Sequence, residues 1–559
     1  MKKKSISLLL AGAMAVGMLG GCSAFDSGSS TAADTGAAGS TADAGSAATG
    51  TTAAAAGSNY LRLPQSDEFP TVDCQMNTEF YVVPLNIYDR LIECETVDGK
   101  AALVPGLAKS WEVSDDGLVY TFHLQEGVKY HNGNDFTAED VAYTIDRMMD
   151  PDQKAVNTDF FNMIQGATER YDGTADSISG VKIIDDYTIE ITLAAPFSPF
   201  LANLATPSCS IYDKDATEAA GDQFGIDPAV TVGTGPFKLD SWELNSKMVL
   251  TKNEDYWRGP ASIDGIEMIQ VPDQDTQKLM YENGELDIVD LSSSTSNMAY
   301  FTSNDKYKDK LVTGPEAGLY FYSFNLNEAP TDKLEVRKAI EMAIDRQTIL
   351  DQLYSGAGKV INSMLPVGFA GSYDAPEIPY DPEQAKALLA EAGYPDGLEM
   401  TLYQKTEDPD ALSLNQVVQA ELAEVGVTAK IEQMDDAAYT AKRKEGTLGM
   451  NRAAWWADYN DPDNFLYTFF STKNAGIRSN NYNDPEIQGM LDEARTIVDE
   501  DKRMEMYKTI DTAVIQDAAV VFPLFQMDHV VVVQDRVKNF SIPWNGWSDA
   551  SYYNVTLEG

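Results

Sequence analysis

Ligand chemistry is most concentrated in residues 443–465, where arginine, tryptophan, aspartate and asparagine occur close together. Arg443 and Arg452 can each offer a planar fork of donors to a carboxylate. The adjacent Trp455 and Trp456 supply large flat aromatic surfaces, each with one N–H group. These residue types at this spacing predict a site that binds an organic ligand through charge and aromatic contact.

Asp458 follows the tryptophans and begins a turn-forming run of Asx residues around Pro462. We expect Asp458 to lie where a strand meets this turn and to receive a cation, with Tyr459 and Asn460 beside it. A calcium loop is not expected, because Pro462 stands where an EF-hand needs an oxygen ligand. A second interpretation stays open at this point, since tryptophan pairs are usually core, Asx-Pro runs surface turns and arginines solvated.

The sequence lacks the motifs of common enzyme classes. It contains no His-Glu-x-x-His helix, no Gly-x-Ser-x-Gly elbow and no glycine loop suited to phosphate. Its three histidines, His123, His131 and His529, are far apart in the chain, which disfavours a metal held directly by the protein. We therefore expect no catalytic residues, no metal and no cofactor.

Charge and length restrict the function further. The 559-residue chain has a formal net charge of -46, which excludes nucleic acid as a partner because phosphate binding requires Lys and Arg. The length exceeds what one hydrophobic core usually supports, so more than one domain is expected. Cys74, Cys94 and Cys209 could form one disulfide, but small buried hydrophobic side chains are the simpler interpretation.

The N-terminal segment is typical of an exported protein. Three lysines precede a short apolar run that ends in Leu-Gly-Gly-Cys, which predicts a signal peptide over residues 1–21. The ending is similar to a lipobox, in which Cys22 carries two acyl chains and anchors the protein to a membrane. An ordinary signal with an incidental Cys22 is the alternative. Residues 22–57 are almost all small and polar, so we expect a disordered tether.

Local patterns predict the elements that position the candidate site. Thr137 and Asp140 predict a capping box at the start of a helix, and Asp381 with Pro382 begins a second helix that ends at Gly393.

Strand signals lie closer to the site. Alternating aromatic and polar residues predict a strand within 320–327. Near the C-terminus we expect a strand at 519–525, followed by a separate apolar run at 530–533. The tryptophan pair is expected on a strand of its own.

The Trp-x-Ala-Asp-Tyr-Asn run at 455–460 resembles the ligand-contacting strand and turn of oligopeptide-binding proteins of ABC importers. These proteins are members of extracellular solute-binding protein family 5, the peptide, nickel and opine group. Segments 103–151, 233–237, 253–259 and 380–397 resemble the same family, so the resemblance spans nearly the whole chain after residue 60.

The resemblance implies a role for each candidate residue. Asp458 would hold the free α-amino group of a peptide, and Arg443 and Arg452 would face peptide carboxylates. Two departures put peptide length in doubt: a lysine of the family is replaced by Tyr354, and the family's histidine has no counterpart near 405–415.

The implied fold is an α/β, bilobal clamshell of the periplasmic-binding-protein type with three domains, the first discontinuous. The predicted boundaries are 58–92, 230–322 and 528–559 for domain I, 93–229 for domain II, and 323–527 for domain III, the lobe that clasps the ligand.

The implied function is that of a lipid-anchored, monomeric receptor outside the cytoplasm, which binds short peptides and delivers them to ABC permease subunits. Relatives on this fold carry other solutes, so an oligosaccharide, a nickel chelate, an opine or haem is an alternative ligand. A sensor of peptide pheromones and an extracellular hydrolase are the alternative classes, the latter disfavoured by the missing motifs.

Overall fold

Short strands alternate with helices throughout this computed structural model, which describes residues 59–78, 81–546 and 550–558. The strands are β1 (Tyr60–Gln65), β2 (Ile92–Val97), β3 (Lys100–Pro105), β4 (Ala108–Val113), β5 (Val119–Leu124), β6 (Val181–Asp185), β7 (Thr188–Thr192), β8 (Phe237–Glu243), β9 (Lys247–Lys252), β10 (Gly265–Gln270), β11 (Ile288–Asp290), β12 (Leu311–Pro315), β13 (Gly318–Ser323), β14 (Gly358–Val360), β15 (Leu398–Lys405), β16 (Val427–Met434), β17 (Asn451–Trp456), β18 (Val521–Val533), β19 (Val537–Lys538) and β20 (Thr556–Leu557).

The α-helices range from single turns to sixteen residues. They are α1 (Pro84–Ile87), α2 (Ala138–Met149), α3 (Ala167–Tyr171), α4 (Phe200–Asn203), α5 (Lys214–Ala220), α6 (Gln274–Glu282), α7 (Thr295–Ser303), α8 (Leu334–Ala343), α9 (Arg346–Leu353), α10 (Pro382–Glu391), α11 (Pro409–Glu424), α12 (Asp436–Lys444), α13 (Asp463–Phe470), α14 (Thr472–Ala475), α15 (Pro485–Ala494) and α16 (Glu500–Thr512). The predicted signal peptide, the lipidated Cys22 and the tether at 22–57 lie outside the described residues.

Two four-stranded sheets build the first lobe. One has the order β1-β10-β9-β8, with β1 and β10 parallel. Its buried apolar side chains also pack against seven side chains from near the C-terminus: Val531, Val533, Val537, Ile542, Ala550, Tyr552 and Val555. The other is fully antiparallel, β4-β5-β7-β6, and packs against α2. Alternation predicts this second sheet well, since Tyr120, Phe122 and Leu124 are all buried.

An eight-stranded sheet dominates the second lobe. Its main order is β11-β18-β13-β17-β15-β16, while β12 and β14 also pair with β18. A single apolar cluster covers residues 317–525 and includes side chains from α8, α11, α13 and α16. The predicted boundary between residues 322 and 323 falls at the end of β13, whose side chains belong to this cluster. The domain boundaries stay predictions.

Strand β18 connects the two lobes and corrects one expectation. Instead of a strand at 519–525 and a separate apolar run at 530–533, the structure has one continuous strand. Its first half pairs with β13 and β14, and its second half with β12 and β11. The polar residues in between continue the ladder because Met527 pairs with Gly358 and His529 with Gly314. Partner strands from elsewhere in the chain thus complete a strand that the local pattern interrupts.

The locally encoded helix ends are confirmed. Thr137 and Asp140 form the predicted capping box of α2. Asp381 accepts a hydrogen bond from Gln384 N at the start of α10, and Gly393 follows the helix with φ +94°.

The architecture is the predicted α/β clamshell of two lobes and three domains, the first discontinuous. In the part of the chain that the structure describes, no helix combines the length and the apolar character needed to cross a membrane.

Candidate ligand-binding site

Strand β17 carries the tryptophan pair, as predicted, and places the two rings on opposite faces. Because side chains alternate along a strand, Trp455 packs edge-on against Phe469, with ring centroids 5.4 Å apart. Trp456 lies on the other face beside Tyr320, donates from Nε1 to Glu316 Oε2 at 2.8 Å and is 46% exposed. The two rings therefore do not form one continuous aromatic wall.

The outer edge of β17 is open beyond its first residues. Ala457 N donates to Ala317 O, so alternation turns the backbone groups of Trp455 toward β13 and those of Ala454 and Trp456 away from it. Strand β15 pairs with β17 only at Asn451. Among the described residues, no strand pairs with the edge at Ala454 and Trp456, which leaves their N–H and C=O groups for an extended partner.

Asn464 fixes the orientation of Asp458 at the end of this edge. Its Oδ1 accepts from Trp455 Nε1 at 2.8 Å and from Asp458 N at 3.3 Å, while its Nδ2 donates to Asp458 Oδ2 at 3.0 Å. Sequence reasoning did not single out Asn464 as a site residue, and only its place in the Asx run could have indicated it. One buried amide therefore connects the aromatic ring to the carboxylate.

Asp458 is open to solvent from the cleft, although protein surrounds it on most sides. This partial desolvation raises its pKa, against the opposing effects of the Asn464 hydrogen bond and the positive charge of Arg478. The negative charge of Asp159, in the first lobe, adds to the rise. A carboxylate accepts up to about four hydrogen bonds, so Asp458 retains capacity for an ammonium group.

Tyr459 and Asn460 hold the turn and join it to the first lobe. Tyr459 donates to Asp463 Oδ2 at 2.9 Å, and burial raises the pKa of its hydroxyl well above the ordinary value. Asn460 Oδ1 accepts from Ala370 N at 2.9 Å, and its side chain lies near the Cys94 thiol, whose pKa it lowers against the larger effect of burial. Both residues line the cleft beside Asp458, and their role in binding a ligand stays a prediction.

Two ion pairs anchor the same turn to the helices behind it. Arg503 pairs with Asp461, and Arg495 Nε lies 3.0 Å from Asp463 Oδ1. Burial raises the pKa of Asp463 to about 6 even though Arg495 opposes the change. These contacts restrain the turn and hold Asp458 at the cleft wall.

The cleft next to Asp458 has a volume of about 430 Å³ and a largely polar lining drawn from both lobes. Its walls include the side chains of Arg90, Glu93, Arg258 and Tyr553. The lobes also touch where Ala101 N donates to Gly368 O at 3.2 Å. Charged walls of both signs suit a polar ligand better than an apolar one.

Arg452 has a protein partner. Its Nη1 lies 2.7 Å from Asp408 Oδ2, and its guanidinium carbon lies 4.5 Å from the centroid of the Tyr320 ring. The side chain is only 9% exposed, on the Trp456 face of β17. The guanidinium fork expected to be free for a ligand is thus partly occupied by Asp408.

Arg443 remains available. It lies in the last turn of α12 and, within the described ranges, forms no ion pair. Arg478 is close enough for the positive charge of Arg443 to act on it, and nothing in the local sequence pattern marks Arg478 as a site residue. Arg478 lies over the rings of Trp455 and Phe469, at 4.6 and 4.7 Å. The structure therefore links Arg443, Trp455 and Asp458 only through Arg478, and it places Arg452 and Trp456 on the opposite face of β17 from Trp455.

No group of three or more His, Cys, Asp or Glu side chains is arranged to hold a metal ion within the part of the chain that is described. His131 is half-buried, lies 3.1 Å from Gly235 O through Nε2, and has its pKa lowered to about 4 by desolvation.

Comparison with known proteins identifies relatives over most of the chain. The heme-binding protein A of Haemophilus influenzae is 30% identical over 500 residues, covering 86% of this chain and 89% of the relative. The dipeptide-binding protein of Escherichia coli is 31% identical over 497 residues, covering 85% and 89%.

A solved structure is similar as well. The periplasmic binding protein DppA of Helicobacter pylori in complex with peptide STSA aligns with a TM-score of 0.69 and 28% identity, covering 89% of this chain and 98% of that one. The profile described as bacterial extracellular solute-binding proteins, family 5 middle, matches residues 102–476, more than half of the chain. The chain belongs to the bacterial extracellular solute-binding proteins of family 5.

Proposed function

We propose that this protein binds a short peptide with a free amino terminus between its lobes and delivers it to the permease subunits of an ABC importer. The observation that carries the proposal is the open edge of β17, where the unpaired backbone groups of Ala454 and Trp456 lead directly to Asp458. An open strand edge that ends at a carboxylate matches the main chain of a peptide that ends in an ammonium group.

Backbone pairing explains how one site could accept many peptides. An extended peptide that adds to a strand edge forms main-chain hydrogen bonds whatever its side chains are. Ala454 has the smallest side chain that still allows a regular strand, so it leaves the edge accessible. Bridging water in a polar cleft adapts to different side chains.

Electrostatics supports an ammonium at Asp458. The carboxylate is oriented by Asn464 and faces the negative charge of Asp159 from the first lobe. An ammonium group between Asp458 and Asp159 would relieve the repulsion between their carboxylates. Closure of the lobes would strengthen this attraction by excluding water.

The two predicted arginines would act differently on the carboxylate end of a peptide. Arg443 forms no ion pair among the described residues, so its guanidinium can bind a ligand carboxylate. A peptide carboxylate at Arg452 would have to share the guanidinium with Asp408. We therefore expect Arg443 to contribute more to affinity than Arg452.

Location and attachment complete the proposal. Cys22 would carry the lipid that anchors the protein to the outer face of the cell membrane. Residues 22–57 would form a flexible linker between the anchor and the folded part. The protein would act as a monomer, without catalysis and without a cofactor.

Haem is the second candidate ligand, because a heme-binding protein is among the relatives at 30% identity. The dipeptide-binding relative and the STSA complex favour peptides. The polar lining of the cleft also favours them, since a porphyrin would need a larger apolar surface.

Calorimetric titration tests the proposal. Residues 23–559 are unfolded and refolded to remove carried-over ligand, then titrated with Ala-Ala-Ala, with Ala-Ala-Ala-Ala, and with the N-acetylated form of each. A separate titration with hemin is followed by its absorbance. We expect binding of the free peptides and at least about tenfold weaker binding of the acetylated ones.

Equal binding of free and acetylated peptides would support a peptide as the ligand but contradict Asp458 as the ammonium site. Binding of hemin alone would replace the proposal with the second candidate. If neither the peptides nor hemin bind to protein that circular dichroism shows to be folded, both candidate ligands are overturned.

A further inference from the structure

Arg478 lies on a loop that is fastened to the end of α12, next to Arg443. Ser479 Oγ accepts from Leu448 N at 2.8 Å and donates to Leu448 O at 3.0 Å. Asn481 Nδ2 donates to Gly446 O at 2.9 Å. These bonds join the loop to the segment that follows Arg443, so the two arginines are held as neighbours.

Two residues of this loop have an uncommon backbone conformation. Ser479 and Asn481 have φ values of +65° and +56°, in the left-handed region. Asn tolerates this region, but Ser adopts it rarely and at a free-energy cost. The hydrogen bonds of Ser479 to Leu448 hold it in this conformation, directly after Arg478. Backbone strain of this kind is common where a side chain must be held for function.

Two aromatic rings orient the guanidinium of Arg478. Trp455 and Phe469 stand at 82° to each other, and the guanidinium carbon lies 4.6 and 4.7 Å from their centroids. Such stacking restrains a guanidinium without occupying its donors. Its Nε is buried and has no hydrogen-bond partner within the described part of the chain.

The charges around Arg478 are unbalanced within the protein. Across the described ranges Arg478 forms no ion pair, and the positive charge of Arg443 acts on it more strongly than the negative charge of Asp458. Burial and Arg443 lower the pKa of Arg478 to about 10, so it stays charged at neutral pH. Two guanidinium groups that act on each other electrostatically, with neither in an ion pair across the described ranges, are a favourable site for an anion.

We infer that Arg478, together with Arg443, binds a carboxylate of the ligand next to the ammonium group held by Asp458. This inference rests on the proposed function and names the ligand more closely, as a zwitterion whose two charges lie near each other. The carboxylate has two possible sources: the C-terminus of a very short peptide, or an acidic side chain near the N-terminus of a longer one. A bidentate guanidinium contact fits both.

Paired ligands separate these sources. Residues 23–559 and the variants Arg478→Gln and Arg478→Lys are titrated with Ala-Ala and its C-terminal amide, and with Glu-Ala-Ala amide and Gln-Ala-Ala amide. Lys473→Gln is the matched control, because it removes one positive charge from an exposed position five residues away. Thermal unfolding checks that every variant is folded.

In the wild type we expect one carboxylate ligand to bind about 10- to 100-fold more tightly than its amide partner. Arg478→Gln should reduce that ratio to near one, Arg478→Lys should restore part of it, and Lys473→Gln should leave it unchanged. If Arg478→Gln abolishes the preference for Ala-Ala over its C-terminal amide, Arg478 binds the C-terminal carboxylate. If it abolishes the preference for Glu-Ala-Ala amide over Gln-Ala-Ala amide, Arg478 binds the acidic side chain.

Unchanged ratios in Arg478→Gln would overturn the inference while leaving the peptide receptor intact. Should that variant fail to fold, an unchanged ratio in Arg478→Lys would overturn it equally, since lysine cannot form the bidentate contact. A wild type that binds none of the four peptides would overturn the proposed function and this inference with it.

Discussion

Asn464 donates a 3.0 Å hydrogen bond from Nδ2 to Asp458 Oδ2, and its side-chain oxygen accepts from the backbone N–H of the same residue. The asparagine is 1% exposed, whereas the aspartate faces the cleft. A buried amide thus determines the position of a charge that water and ligands can reach. The site depends on this support as well as on the residue that would contact the ligand.

Replacement of Asn464 should affect both stability and affinity. Asn464→Leu leaves Trp455 Nε1 and Asp458 N without their acceptor, so we expect a loss of roughly 1–3 kcal/mol in the free energy of unfolding, measured with urea. Free peptides should also bind more weakly because Asp458 is no longer oriented. Asn474→Leu is the control, since it removes a single 3.4 Å hydrogen bond to Tyr467 O nearby. Equal losses in both variants would contradict a special role for Asn464.

Neutralising Asp458 should remove the preference for a free amino terminus. Asp458→Asn keeps the size of the side chain but not its charge, so we expect free Ala-Ala-Ala to bind about 10- to 100-fold more weakly and the acetylated peptide to be almost unaffected. Asp492→Asn removes the same charge from an exposed position on α15 and serves as the control. A parallel loss for the free and acetylated peptides would contradict the assignment.

Replacing either of the two predicted arginines should change the stability of the protein by a different amount. Arg452→Gln leaves Asp408 without its partner and removes the contact with the Tyr320 ring, so we expect roughly 1–3 kcal/mol of destabilisation after allowing for the partial exposure of Asp408. Arg443→Gln should change stability by less than about 0.5 kcal/mol, because it breaks no ion pair.

Peptide titrations on the same two variants complete this test. Across di- to pentapeptides, Arg443→Gln should weaken binding more than Arg452→Gln, and their length profiles should differ. If both variants show the same stability and the same length profile, the distinction between a free and a paired arginine has no consequence.

A buried acid on α8 should make stability depend on pH. Desolvation raises the pKa of Glu341 to about 8, against the positive charges of Arg346, Lys338 and Arg337. Between its ordinary pKa of 4.5 and about 8, the folded chain retains a proton that the unfolded chain has released, so the free energy of unfolding falls as pH rises through this window. Glu341→Gln removes this pH dependence of the free energy of unfolding.

We therefore expect Glu341→Gln to gain on the order of 2–4 kcal/mol relative to the wild type between pH 4.5 and 8, by urea unfolding at a series of pH values. Glu335→Gln, exposed on the same helix, should run parallel to the wild type. A constant difference between Glu341→Gln and the wild type across this range would show that Glu341 ionises normally.

Features that depend on a few consecutive residues could be predicted from the sequence. The capping box of Thr137 and Asp140, the start of α10 at Pro382 and the strand that carries the tryptophans were all expected, because turn, cap and alternation patterns act through neighbouring backbone groups. The family resemblance extended this to the clamshell architecture. Asp458, Tyr459 and Asn460 could be proposed as one group because they are consecutive.

Tertiary structure decided which side chains meet. Alternation along β17 sends Trp455 and Trp456 to opposite faces, and Arg452 is paired by Asp408, which lies 44 positions earlier. Arg478 is held near Arg443 because its loop is bound to the segment after α12, and Asp159 faces Asp458 from a different lobe. Sequence spacing carries no record of such contacts. Local patterns determined the elements and the residue types of the site, while packing between distant segments determined which charges are free and which are already paired.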